Sequence, residues 1–361
     1  EDDFNATIAY QNVQEQLAFG YRIPGTEESH NCVQWIDSIM ELYGESSVIN
    51  YTIGTRSCKN VLGKINNDPA KESIVVLAAH FDSRAVAEKD SDPEKRGDPI
   101  PGANDGASGV AVLLEMARVL SRSSFDLNSE IWFLFFDAED QGDISDDSYG
   151  FSGWDWCEGS YWQADDMKSH PNKYFTKNQG LSTIDAFILL DMVGGIGLEY
   201  TLVSPYNPDL YGDIFETGRN LGYEEQFPLG QSAVSIVDDH VPFHELGIPT
   251  FDMIIEFWDS SNPWGYHHTH SDNIDNIDPQ SLDVTGRTVL KFLEKKFSLE
   301  SNGDGTQTTY REDDNQLSQL WDQLAVRFVV YLSIGVVSFV ILFRYYQRRK
   351  YLSRSPDKEG T

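Results

Sequence analysis

Five stretches carry side chains able to bind or activate something. They are His80-Phe81-Asp82, the turn Pro101-Gly102-Ala103-Asn104-Asp105-Gly106, the run Asp137-Ala138-Glu139-Asp140, the lone Asp191, and the loop His267-His268-Thr269-His270-Ser271-Asp272. Carboxylates gathered in one place repel and take up protons unless a cation neutralises them. Two imidazoles among three or four carboxylates form a borderline donor set suited to Zn²⁺, and a bridging carboxylate can hold two ions roughly 3.5–4 Å apart. Each piece alone has a plainer reading. Asp82 or Asp272 reads first as a cap or turn residue, His267 and His270 as loop or rim histidines, and the acid-rich stretch from Asp137 to Asp166 as solvated surface. The Gly-rich PGANDGASG segment lacks the Lys-Ser/Thr of a phosphate-binding loop, which counts against that chemistry.

These groups work together only if the elements carrying them converge. Ile74 to Ala79, Ile131 to Phe136 and Ala186 to Leu190 are short, continuously apolar runs, as expected of strands buried on both faces. Each ends in one of the acidic or histidine groups. Open α/β sheets place ligands outside the carboxyl ends of their strands, so the groups should meet there. Around these runs the pattern predicts helices near Ile8 to Phe19, Ser29 to Tyr43, Gly106 to Leu120, Pro208 to Leu221 and Ser281 to Phe297. It predicts further extended segments at Val48 to Gly54, Val61 to Ile65, Tyr200 to Ser204 and Thr250 to Ile255. The expected fold is α/β, a three-layer sandwich with a mixed, mostly parallel central sheet flanked by helices.

The chain has 361 residues, with 58 acids against 27 Lys and Arg and a net charge of -31. Such a surface repels a phosphate backbone, which argues against nucleic acid as a partner. From Arg344 onward the sign reverses, with six basic residues against two acids. Just before this tail, Phe328 to Phe343 runs for 16 residues without a charge, flanked by Trp321 on one side and by Tyr345 and Tyr346 on the other. That pattern predicts a transmembrane helix with the C-terminus in the cytoplasm. The expected organisation is an ectodomain over 1–298, a flexible acidic stalk over 299–323, a membrane helix over 324–343 and a basic tail over 344–361. A chain opening on Glu is consistent with a removed signal peptide, hence a single-pass type I membrane protein with its ectodomain extracellular or luminal. Asn5 and Asn50 stand in glycosylation sequons, and three cysteines allow one disulfide, for which Cys32 with Cys58 is the first pairing to try.

Together, His80-x-Asp82, PGANDGASGVAVLLEMARVL, FFDAED, LLDMVG and HTHSD, in this order from about residue 70 to 298, resemble the zinc-dependent aminopeptidases of metallopeptidase family twenty-eight. The stretch DDHVPFHELGIPT from Asp238 is similar to glutaminyl cyclases, which share that fold. The resemblance implies that His80 and Asp191 hold one zinc, Asp140 and His268 a second, and that Asp105 bridges them. Glu139 would be the general base that takes the proton of a metal-activated water, and Asp82 would orient His80. The family pattern has Glu-Glu where this chain has Glu139-Asp140, so the second ion has a ligand one methylene shorter. Only about 20 residues separate Asp82 from Asn104, too few for the protease-associated insertion of larger relatives.

The leading expectation is a membrane-anchored zinc aminopeptidase acting on peptides with a free N-terminus. The alternative is a glutaminyl-peptide cyclotransferase forming pyroglutamate with a single zinc, and a third is a receptor-like ectodomain without activity. Trp154, Trp156, Trp162, Phe257, Trp258 and Trp264 are candidate pocket walls or core aromatics.

Overall fold

The structure, a computed structural model, describes residues 4–65, 71, 73–122, 127–143, 149–257 and 264–298. Two helices open the chain, α1 (Ala6–Ala18) and α2 (Glu27–Tyr43), each started by a side-chain cap. Asn5 accepts the amides of Thr7 and Ile8, and Thr26 that of Ser29. A hairpin of β1 (Glu45–Ile53) and β2 (Arg56–Ile65) follows, then β3 (Ser73–His80), α3 (Ala107–Arg122) and β4 (Ser129–Phe136). Next come α4 (Glu158–Ser169), the short α5 (Pro171–Tyr174), β5 (Ile184–Asp191) and the two-residue strands β6 (Tyr200–Thr201) and β7 (Val203–Ser204). The chain continues through α6 (Pro208–Asn220), β8 (Val234–Ser235), α7 (Val241–Glu245), β9 (Thr250–Ile255) and α8 (Pro279–Phe297).

Among the described residues seven strands form one sheet in the order β1-β2-β4-β3-β5-β9-β6. The central four are parallel, whereas β1, β2 and β6 run antiparallel to their neighbours, so the sheet is mixed and parallel in its middle. Strand β3 shows how the sandwich is built. Val75, Leu77 and Ala79 pack into one layer with α1, α2, α3, α6 and α8, and Ile74, Val76 and Ala78 into the other with α4 and α7. Every one of these six side chains is fully buried. Burial on that scale contributes roughly 1.5–3 kcal/mol per large aliphatic side chain, which rewards strands that are apolar on both faces.

Three expectations need correction. The extended run Tyr200 to Ser204 is two strands, because Tyr200 and Thr201 pair with β9 while Val203 and Ser204 pair with β8 in a separate two-stranded sheet. In the described part of the stretch from Asp137 to Asp166, Asp137, Glu139 and Asp140 are buried rather than solvated, and α4 begins at Glu158. Its buried face is Gly159, Ser160, Gln163, Ala164 and Met167, which repeats with helical spacing yet is mostly small or polar. Cys32 and Cys58 are free thiols, as is Cys157. Cys32 joins the α2 layer with Val61 of β2, whereas Cys58, an odd number of residues away on the same strand, faces the opposite side with Tyr51 and Trp154.

Among the described residues no helix is long and apolar enough to cross a membrane. The expected stalk, membrane helix and tail over 299–323, 324–343 and 344–361 lie outside the described residues, as does Trp258.

Candidate active site

Strand order reverses around β3: the chain leaves it for β4 on one side and returns to β5 on the other. A reversal of this kind opens a crevice at the carboxyl ends of the strands. His80 is the last residue of β3 and Asp191 the last of β5, while Asp137 to Asp140 follow β4 directly. Asp105 lies in the turn that leads into α3. Its neighbour Gly106 has φ +90°, and a Cβ there would stand 2.6 Å from the Asp82 carbonyl, so the turn needs glycine. His268 comes in from the loop before α8, itself with φ +57°. Ala138 and Met192, beside Glu139 and Asp191, also have positive φ. Left-handed non-glycine residues cost of the order of 1 kcal/mol or more and collect at functional sites.

All seven predicted residues converge. His80 Nε2 lies 3.1 Å from Asp191 Oδ1 and 3.2 Å from Asp105 Oδ1. On the other side of Asp105, His268 Nε2 stands 3.0 Å from Asp140 Oδ1 and 3.7 Å from Asp105 Oδ2. Asp105 thus faces both imidazoles, one through each oxygen. Glu139 Oε2 is 3.9 Å from His80 Nδ1, and Asp82 Oδ1 is 3.4 Å from the same nitrogen. His267 Nε2 also comes within 3.7 Å of Asp105 Oδ2, whereas His270 turns away to Asp90, 2.8 Å from its Nδ1.

A buried frame holds these groups, and much of it carries no sequence signal. Asp272 accepts the amides of Asn104 and Asp105, at 2.7 and 3.1 Å, and so fixes the bridging loop. Arg22, fully buried near the N-terminus, donates to the carbonyls of Phe81, Pro101 and Gly102 and ties that loop to the end of β3. Arg84 and Glu88 lie on the long connection before Pro101, which has neither periodicity nor a motif. Glu88 bonds to His268 Nδ1 and, at 2.7 Å, to Arg84 Nε.

Burial pushes the Glu139 carboxyl well above its usual range, aided by Asp140, Asp239 and Asp191 and opposed by His80. Burial also lifts Asp140, with Asp105 adding to it, to about 6, and raises Asp191. Burial would raise Asp105 as well, but the bond to His80 together with the charges of His80, His268 and Lys89 outweighs it and holds the acid down. Burial works against the charged imidazole of His80, yet Asp105, Asp191 and Asp82 raise it well above normal. Glu88 is lifted by burial but held down at about 2 by His268 and Arg84.

Such a cluster is what a divalent cation relieves. Asp105 Oδ2 and Asp140 Oδ2 are buried without a hydrogen-bond partner. Ligand atoms about 2.0–2.1 Å from one tetrahedral zinc stand roughly 3.3 Å apart, close to the spacings here. The residues therefore fit zinc, with His80, Asp105 and Asp191, whose donor atoms lie within 4.8 Å of one another, as one set, and Asp105 and His268, joined by Asp140 3.0 Å from His268 Nε2, as the other; His267 also falls within 4.8 Å of Asp105 and His268. Both sets hold a close histidine–aspartate pair, and they differ in that the two orphaned oxygens, Asp105 Oδ2 and Asp140 Oδ2, lie on the His268 side.

Above the donors lies a cavity of about 350 Å³, at the small end for ligand pockets. Glu139, Trp156, Met192, Ile236, Ile254 and Phe257 are among its walls. Of the aromatic candidates, Trp156 and Phe257 line it. Trp162 stacks on Tyr51, Trp154 packs on Phe151, and the fully buried Trp264 packs on Tyr266. Asp238 also reaches the cavity. Glu139, Cys157 and Asp238 each place a polar atom within 4.8 Å of the others, and Asp238 Oδ2 is buried without a partner. Its one sequence signal was the stretch that resembles glutaminyl cyclases.

Residues 60–293 match the model of Peptidase family M28. The chain is 28% identical to the glutaminyl-peptide cyclotransferase of Bos taurus over 262 residues, 66% of either chain. Among solved structures, it superposes on Porphyromonas gingivalis glutaminyl cyclase with a TM-score of 0.71 at 33% identity, covering 82% of this chain and 100% of that one. A Zn-dependent exopeptidase from Parabacteroides distasonis gives a TM-score of 0.71 at 31% identity, covering 81% and 99%.

Proposed function

The chain belongs to Peptidase family M28 and is an enzyme, and within that family we propose that it is a glutaminyl-peptide cyclotransferase, closing the N-terminal glutamine of a peptide into pyroglutamate with loss of ammonia. The observation that carries this is the unequal state of the two donor sets. Each set holds a close histidine–aspartate pair, His80 with Asp191 at 3.1 Å and His268 with Asp140 at 3.0 Å, but Asp105 Oδ2 and Asp140 Oδ2, both on the His268 side, remain buried without a hydrogen-bond partner. One zinc on Asp105, Asp140 and His268 answers that need. Bound there, it supplies a Lewis acid that polarises a substrate carbonyl.

The protein's own groups do the rest. Cyclisation needs no added water, only a base that takes a proton from the attacking α-amine and returns it to the departing amide nitrogen. Glu139 is the acid placed for both, at the cavity wall and off the metal set, and its burial favours the neutral form that the second transfer needs. Asp238, across a short span from Glu139, is a free acceptor for the α-amine. Met192, Ile236, Ile254 and Phe257 give the glutamine methylenes an apolar seat. The likeness to glutaminyl cyclases agrees with this reading.

A second reading, a zinc aminopeptidase, has its own observation: both donor sets have zinc-like spacing and share Asp105, as two-ion hydrolysis needs. The likeness to a Zn-dependent exopeptidase agrees with that one. Incubating the chain with a Gln-initiated peptide and with unblocked aminoacyl substrates separates them. The cyclase reading expects pyroglutamyl peptide and ammonia without free amino acid, and release of free amino acid without cyclic product overturns it. Residues 324–343 are proposed, on sequence alone, to anchor the enzyme in a membrane.

A further inference from the structure

The connection between β3 and Pro101 looks featureless in sequence, yet it delivers two buried charged side chains to the donor set. Glu88 puts one carboxylate oxygen on His268 Nδ1 and the other on Arg84 Nε, 2.7 Å away. Arg84 Nη1 then donates to the Asp140 carbonyl at 2.8 Å, and Nη2 to that of Gly142 at 3.4 Å. The guanidinium lies 4.5 Å from the Trp156 ring centroid, and Trp156 stacks on the His268 imidazole at 5.7 Å with the planes 16° apart. The side chains of Arg84 and Glu88 are 0% and 7% exposed, so solvent competes little for these bonds.

We propose that Glu88 and Arg84 are positioning residues for the zinc held by Asp105, Asp140 and His268. The circuit runs from His268 through Glu88 and Arg84 to Asp140, and His268 Nε2 and Asp140 Oδ1 close it 3.0 Å apart. Its two ends are therefore two ligands of the same set. A carboxylate on Nδ1 leaves Nε2 as the nitrogen that faces the metal and makes it a stronger donor. Arg84 acts at the other end. Asp has one methylene fewer than Glu, so its carboxylate reaches the metal only if its backbone sits close, and a guanidinium on its carbonyl fixes that position. Lysine offers one point of charge where this geometry uses three N–H groups.

The inference rests on the metal reading of the previous section, and its test separates the two. Zinc affinity of the full chain is measured by competition with a chromophoric chelator, alongside unfolding of the metal-free protein. Glu88→Ala is expected to weaken zinc at this set about 10- to 100-fold. Glu88→Gln, which keeps the volume and one acceptor, should weaken it less, and Arg84→Lys should weaken it in the same direction. Each variant is expected to lose more stability with zinc bound than without it. Wild-type affinity in folded Glu88→Ala or Glu88→Gln overturns the proposal and leaves the metal reading intact. Wild-type protein that binds no zinc overturns both.

Discussion

The carboxylate of Asp82 lies beneath Glu139, accepting its amide at 3.1 Å through Oδ1 while Oδ2 accepts that of Asp140 at 3.2 Å. The resemblance assigned Asp82 to His80, and at 3.4 Å from Nδ1 it does face that ring. Its shorter bonds go to the backbone of the base and of a metal ligand, and Gln141 Nε2 adds a third at 3.0 Å. Asp82→Ala should therefore leave buried amides unsatisfied and destabilise the fold by about 1–3 kcal/mol. It should also lower kcat by displacing Glu139. Asp82→Asn keeps an acceptor oxygen and should recover much of the stability, which urea unfolding of both variants measures.

Metal content distinguishes the two donor sets. On the cyclase reading the full chain carries one tightly held zinc, lost in Asp140→Asn and in Asp105→Asn and retained in Asp191→Asn. Elemental analysis after dialysis against a weak chelator reads this directly. Two ions in the wild type, with one lost on Asp191→Asn, would instead favour the aminopeptidase reading.

Much of this site was legible because buried parallel strands are apolar throughout, so the first polar residue after each run marks its carboxyl end. His80 and Asp191 stand out on that ground alone, whereas for β4 it marks Asp137, and the Glu139-Asp140 pair just beyond took its roles from the family resemblance. Glu88, Arg84 and Arg22 do not, since each depends on a contact between loops far apart in sequence. Arg22 reaches carbonyls about 60 to 80 positions away, and Glu88 reaches a histidine 180 positions away. Helix α4 was missed for another reason: small and amide side chains on its inner face fill space against Asp137 and Asn60 and leave no hydrophobic stripe to detect.

Asp90 gives the fold a pH dependence at its acid end. The amide of Asp92 and both the ring and the amide of His270 bond to its carboxylate, and the acid is held down at about 2. A carboxyl depressed in the folded state stabilises it fully above the unfolded value, roughly 4, and loses that contribution as pH falls through about 2. Asp90 lies at the rim, where solvent screens its charge, so Asp90→Asn should cost on the order of 1 kcal/mol at pH 6. The gap between variant and wild type should close between pH 4 and pH 2 in denaturant titrations. A gap that stays constant over that range would mean the charge plays no part.

Gly109 tests how closely the helix after the bridging loop must lie against the sheet. A Cβ at this position would sit 2.0 Å from the Leu190 carbonyl and 2.9 Å from Ala79 Cβ. Neither neighbour can yield, because Leu190 and Ala79 each directly precede a donor, Asp191 and His80. The helix would have to move off the sheet instead, drawing Asp105 away from both imidazoles. Gly109→Ala is expected to destabilise the protein by about 3 kcal/mol, the upper range for overpacking a tight core. It should also weaken zinc binding although no ligand is changed. Alanine ordinarily favours a helix over glycine by about 1 kcal/mol, so the two effects have opposite signs. Thermal unfolding of the metal-free variant decides between them: a rise in Tm would mean that α3 and β5 have room to spare, and a fall of several degrees that their contact is what sets the position of Asp105.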